Sequence, residues 1–153
     1  NKFAEENGME PIRISQINYS LAHSSVETFG DNTLVCMDTK EFRWYKKHDF
    51  PVMAFSPQAK GFFAKLAKGD AANNLPEGQY AGPANLARLA KVKQLSEQTG
   101  DTPAKITLGY LNSQPFFVSS VFAVTKLWQL DEDMEAQDLT YDPKTVAFLE
   151  NMI

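Results

Sequence analysis

The stretch PVMAFSPQAKGFFAK, Pro51 to Lys65, decides how the rest of the chain is read. Its first five residues are apolar and suit a buried strand, which Ser56-Pro57 ends. A polar turn follows, with a cation at Lys60 and a glycine at Gly61, and aromatic residues resume at Phe62. In one common class of α/β fold, a turn of that kind at the end of a buried strand is where a ligand sits.

Upstream, IRISQINYSL (12–21) alternates between two faces and reads as a strand. It follows a short helical stretch, NKFAEENG, stopped at Gly8 and by Pro11. An irregular segment runs to Met37. DTKEFRWYKKH then offers Asp38 as N-cap, Glu41 three residues later and a basic end at Lys46, Lys47 and His48, a helix whose charges suit its dipole.

Downstream, AKGFFAKLAKG reads as a short helix, and DAANNLPEGQYAGP as a loop expected to be the most mobile part of the chain. NLARLAKVKQLSEQTG places Leu86, Leu89, Val92 and Leu95 on one helical stripe and stops at Gly100. The next helix has Thr102 as N-cap, Pro103 at its first position and Pro115 as its end. FFVSSVFAV (116–124) suits a strand covered on both faces. TKLWQLDEDMEAQDL reads as a helix with Leu127, Leu130 and Met134 on its apolar side, and a last helix starts at Asp142-Pro143. Strands alternating with helices mean βαβ units and a parallel sheet. Three strands make a thin sheet for so many helices, so the pattern is expected to be part of a larger α/β fold.

Composition narrows the function classes. The chain has 153 residues, one modest domain, with 43% hydrophobic and 22% charged residues. A net charge of −4 argues against a general nucleic-acid binder, which needs surplus Lys and Arg. No apolar run is long enough to cross a membrane, and the start lacks the pattern of a signal peptide. Cys36 is the one cysteine, so no disulfide forms within the chain; this fits a reducing, cytoplasmic compartment. With no His–acid pair nearby, Cys36 reads as a buried structural residue rather than a nucleophile. The missing initiator Met and the helical first residues suggest a chain that begins inside something larger.

Four segments together resemble the C-terminal half of the aldo-keto reductase family, over nearly the whole chain. NGMEPIRISQINYSL resembles the family's sixth strand with its S-Q-x-x-Y-S-L pattern. VMAFSPQAKGFF is similar to the seventh, an aromatic residue followed by S-P-L, a basic residue and Gly. GDTPAKITLGYLNSQP is similar to G-x-[TS]-P-A-x-x-A-L-x-W, and SSVFAVTKLWQLDEDMEAQDLTYD to the eighth strand and its helix. The resemblance implies the C-terminal part of a (β/α)8 TIM barrel, residues 1–153 forming a partial reductase domain, with the site at the C-terminal ends of the strands.

It also implies roles. Gln16 would hydrogen-bond a nicotinamide carboxamide, its amide offering donor and acceptor; as a plain strand residue it would be a half-buried Gln. Phe55 would stack on the nicotinamide ring or else pack in the core. Ser56, Gln58 and Lys60 match the turn around the pyrophosphate, with Gln58 where Leu is usual and Lys60 a phosphate contact or a solvated lysine. Thr125 and Lys126 stand where the adenosine phosphate binds. Ala123-Val124 replace the usual Gly-Ala pair, and Gln129 falls where many NADP-preferring members carry Arg. Glu132 and Asp133 match an E-N pair, or are simply a solvated helix face. The cofactor would be NADP or NAD, the substrate a small carbonyl compound.

The family's catalytic Asp, Tyr, Lys and His have no matching motifs here. His23 and His48 lack the family context, and Tyr19 is a structural member of its strand. The resemblance therefore implies the cofactor-binding half of a reductase without its chemical half. Three readings follow: part of a full enzyme; a half-barrel binding module that self-associates or pairs with the missing N-terminal half to cover its sheet edges; or a degenerate member kept for interaction.

Overall fold

A computed structural model describes residues 1–69 and 80–150. Three strands, β1 (Ser15–Asn18), β2 (Val52–Phe55) and β3 (Val118–Val121), form one parallel sheet in the order β1-β2-β3. The helices are α1 (Lys2–Glu6), α2 (Val26–Phe29), α3 (Thr39–His48), α4 (Phe62–Ala67), α5 (Pro83–Thr99), α6 (Pro103–Asn112), α7 (Leu127–Met134) and α8 (Pro143–Leu149). The parallel α/β expectation holds.

Helix starts follow the caps in the sequence. Asp38 accepts from the Glu41 N–H (2.8 Å), Thr102 from Lys105 (3.3 Å) and Asp142 from Thr145 (2.8 Å). Pro103 and Pro143 occupy first-turn positions, where the missing N–H costs nothing.

Successive strand side chains alternate between faces. Ile17, Val52 and Ala54 are buried on one face, in a cluster with Tyr45, Phe62, Phe63, Ile106, Leu111 and Phe116. Fully burying one such side chain contributes roughly 1.5–3 kcal/mol, so this helix-covered face is the core. α6 packs against β3, α4, α5 and α7, and its residues 106–111 are all buried. At Gly109 it passes so close to the following chain that an added Cβ would lie 2.9 Å from Leu139 Cγ and Tyr141 Cε2. The other sheet face carries Gln16, Asn18, Met53, Phe55, Ser119 and Val121, of which Asn18 alone is buried.

Several expectations need correction. The first strand is shorter than 12–21: the ladder starts where the Ser15 N–H bonds Pro51 O (3.1 Å), and Ile12 and Ile14 are exposed before it. The 116–124 run forms strand only over Val118–Val121 and is not covered on both faces: none of these four residues is buried. The apolar side expected for α7 faces outward: Leu127 is 80% exposed, and Leu130 and Met134 are exposed too. The residue α7 buries is Asp133. In α5, Val92 and Leu95 are buried but Leu86 is exposed. The segment before Met37 is not wholly irregular: it contains α2, and Cys36 bridges Asn18 in parallel, extending the β1 edge. Of the loop expected to be mobile, residues 70–79 lie outside the described residues; Tyr80 is fully buried.

Candidate active site cleft

The turn after β2 is built from unusual backbone. Ser56, Ala59 and Lys60 have φ of 51°, 49° and 55°, left-handed values that cost L-residues about 1–2 kcal/mol each. Gly61 (φ 80°) takes the same region without that cost and leads into α4. Two backbone bonds fix the turn, Ala59 N–H to Ser56 O and Gly61 N–H to Gln58 O, both 2.9 Å. Buried Pro57 and Ala59 anchor it. Strain of this kind, held by surrounding packing, gathers at functional sites.

The turn forms one wall of a cleft of about 600 Å³, within the usual range for small-molecule sites. It lies at the C-terminal ends of β2 and β3. α4 supplies Lys65 to the same wall, and Lys68 follows it; Val121–Thr125 and α7 form the opposite side. Seven of the ten residues expected from the sequence line it: Ser56, Gln58, Lys60, Thr125, Gln129, Glu132 and Asp133.

The remaining three lie elsewhere. Gln16 and Phe55 share the open face of the sheet, where Phe55 pairs in register with Asn18, two residues beyond Gln16. Gln16 is exposed and Phe55 half-buried, so neither is committed to the core. Lys126 is exposed and does not line the cleft.

Two glutamines organise the α7 wall through internal bonds. Gln58 Nε2 donates to Asp133 Oδ1 at 2.6 Å, tying the strained turn to the helix across 75 residues of sequence. Asp133 is 4% exposed, and burial pushes its carboxyl above the ordinary aspartate range, against the opposing pull of the Gln58 bond. It is therefore not part of a solvated face. Gln129 Oε1 accepts from Thr125 N–H (3.1 Å), Thr125 Oγ1 (3.2 Å) and Lys126 N–H (3.0 Å), capping the start of α7.

The cleft also uses residues that sequence reasoning passed over. Lys68 Nζ sits 5.2 Å from the centre of the Trp128 ring, a cation–π contact beside the cleft. Lys65 and Lys68 stand three apart in the run that follows Lys60, and that spacing was the available signal for a cationic wall. Three ammonium groups on one wall suit a phosphorylated or otherwise anionic ligand.

Elsewhere, Cys36 is only partly buried, less than expected, and burial raises its thiol above the usual range. His48 Nδ1 lies 2.8 Å from Trp44 O and its ring stacks on Trp44, a helix-end contact. Tyr19 packs edge-on against Tyr110 in the core. Among the described residues, no group of side chains is arranged to hold a metal ion, and no helix is long and apolar enough to cross a membrane.

The fold has a relative among solved structures. The chain superposes on the crystal structure of a thermostable aldo-keto reductase, Tm1743, in complex with the inhibitor epalrestat, with a TM-score of 0.62 and 15% sequence identity. The match covers 99% of this chain and 44% of that one, so the chain spans under half of that relative's length. The sheet and its helices thus correspond to part of a (β/α)8 barrel. The Aldo/keto reductase family model matches residues 3–153, and the chain belongs to that family.

Proposed function

We propose that this chain is the cofactor-binding half of an aldo-keto reductase that reduces a small carbonyl compound. The observation that carries this reading is the gathering of seven residues expected from the resemblance around one cleft at the strand ends. A nicotinamide cofactor, NAD or NADP, supplies the hydride in such a reduction.

The residues fit that cofactor in kind. Lys60 offers an ammonium group to a diphosphate. Phe55 offers an accessible ring for stacking, and Gln16 on the same face offers both donor and acceptor to a carboxamide. Ser56 joins the two groups, following Phe55 directly and lining the cleft. In this reading the general acid comes from a complementary half.

The test is a fluorescence titration of the folded chain with NADH and with NADPH. Saturable binding, weakened by Phe55→Ala and Gln16→Ala, is the expected result. Both side chains lie on the open face, so these variants keep the fold. A flat titration with both nucleotides, on a chain shown folded by circular dichroism, overturns the reading.

A second reading rests on the open face itself, where Val121 is exposed, and on Phe117 beside it, 63% exposed. Among the described residues this face is largely open and nothing pairs with the outer edge of β3, which favours association with a complementary half or with a second copy. Light scattering over a concentration series tests the latter; a strictly monomeric chain at high concentration refutes it.

A further inference from the structure

We infer that this chain pairs with a second copy of itself through two helices, the basic face of α3 seating the acidic and apolar face of α7. The inference is independent of the cofactor reading. It deepens the association reading above by naming the surfaces that meet.

The chain is acidic overall, with a net charge of −4, yet α3 gathers Lys40, Arg43, Lys46 and Lys47 in a helix of ten residues. All four are exposed, and none forms an ion pair among the described residues. Spacings of three and four put Lys40, Arg43, Trp44 and Lys47 on one side of the helix. Trp44 is 47% exposed. Beside it lies a groove of about 390 Å³ against the start of β1, lined by Ser15, Lys40, Glu41, Trp44 and Tyr45. Of the acidic groups nearby, Asp38 caps the helix, Glu41 faces the groove at the first turn and Asp49 lies beyond the last.

The outer face of α7 is the converse. Leu127, Leu130 and Met134 are exposed at helical spacing, Asp131 stands among them and Asp138 follows. Neither aspartate forms an ion pair among the described residues. The other charges on this flank are placed differently. Glu135 is paired with Lys105, Glu132 and Asp133 line the cleft, and Lys68 sits over the Trp128 ring. Lys126 is exposed at the helix start.

Apolar area exposed in a stripe calls for a covering partner, and charge selects which one. Much of a net-acidic surface repels Asp131 and Asp138, whereas α3 attracts them. The sense of the two helices also agrees. Both begin at the C-terminal ends of the strands: α3 after Met37, whose N–H bonds Asn18 O, and α7 after β3. Two copies related by a two-fold axis along the strands bring α3 against α7 in parallel. Glu41 then meets Lys126 at the first turns, Arg43 and Lys47 face Asp131 and Asp138 further along, and the groove beside Trp44 receives an apolar side chain. Because α3 borders β1 and α7 follows β3, at opposite flanks of the sheet, both contacts form at once and close a dimer.

Sedimentation equilibrium at moderate and at high ionic strength tests this. It is run on the chain and on two charge-reversed variants, Arg43→Glu with Lys47→Glu and Asp131→Lys with Asp138→Lys, each shown folded by circular dichroism. The expected result is a dimer that weakens with salt, weakens at least about tenfold in either variant alone, and returns when the two variants are mixed. A strictly monomeric unmodified chain overturns the inference together with self-association by any surface. A dimer that survives both reversals overturns the assignment to these helices and leaves association at the β3 edge standing. Variants that stay apart when mixed overturn the pairing of α3 with α7. Growth beyond a dimer overturns the closed two-fold arrangement.

Discussion

Replacing Gln58 with Ala removes the side-chain donor that bonds the Asp133 carboxylate among the described residues. A hydrogen bond to a charged group is worth about 1.5–3 kcal/mol, and an orphaned buried carboxylate cannot recover it from water. Asp133 is 4% exposed, so the loss falls near the middle of that range, about 2 kcal/mol at about pH 7. For a chain of 153 residues that is roughly 4–8 °C in Tm. The pH dependence identifies the cause. Burial raises the folded-state carboxyl above its unfolded value, so the folded protein binds the proton more tightly. Stability from this group is thus fully present below the unfolded pKa and is lost as pH rises through the folded one. Gln58→Ala removes the bond that offsets this, which raises the folded pKa further. The variant's deficit should therefore be large at about pH 7 and shrink as pH falls through the folded pKa and Asp133 takes up its proton. Urea unfolding of both proteins at each pH reads this directly. Asp133→Asn supplies the second half of a double-mutant cycle: Gln58→Ala should cost less in that background. A deficit that stays constant with pH, or an equal cost in the Asn background, refutes the argument.

Other outcomes follow from the same reasoning. Gly109→Ala places a methyl 2.9 Å from Leu139 and Tyr141 and should lower the urea midpoint by an amount worth about 1–3 kcal/mol; an unchanged midpoint would show that this segment yields freely. Thr102→Ala removes the acceptor for the Lys105 N–H and should cost about 1 kcal/mol, with Thr102→Ser recovering most of it in the same assay. Asp142 is held below the ordinary carboxylate range by the Thr145 backbone bond. Its contribution is present above the unfolded pKa and fades as pH falls through the folded one, so Asp142→Asn should flatten the acid limb of a thermal-stability profile. Cys36, its thiol raised by burial, should react with a disulfide reagent at neutral pH more slowly than free cysteine; equal rates would mean an open, ionised thiol.

Local chemistry made much of this fold legible. The caps at Asp38, Thr102 and Asp142 form bonds at the positions their residue types indicate, because a cap is decided within four residues. Val52–Phe55 is a strand ending at Ser56 for the same reason. What failed depended on the neighbour. Leu127, Leu130 and Met134 form a proper apolar stripe, yet α7 turns Asp133 inward, because Gln58 awaits it there and nothing among the described residues covers the stripe. Val118–Val121 looks two-sided, yet none of its four residues is buried. Within the site, residue types were readable while their engagements were not. Gln58 and Gln129, expected to face a ligand, each hold another part of the protein, through partners that local sequence does not reveal.

The strand order has a consequence for how such a chain assembles. β1, β2 and β3 lie side by side in the order in which they occur along the chain, so each new strand joins the outside of the sheet already formed. No strand has to be threaded between two others. The sheet can therefore grow by accretion, one strand and its helices at a time, with each finished edge serving as the template for the next. The same property makes such a layer divisible: a cut between units leaves pieces that keep their internal pairing. Supplied as a separate polypeptide, a matching half would find the β3 flank in the geometry that one more accretion step requires.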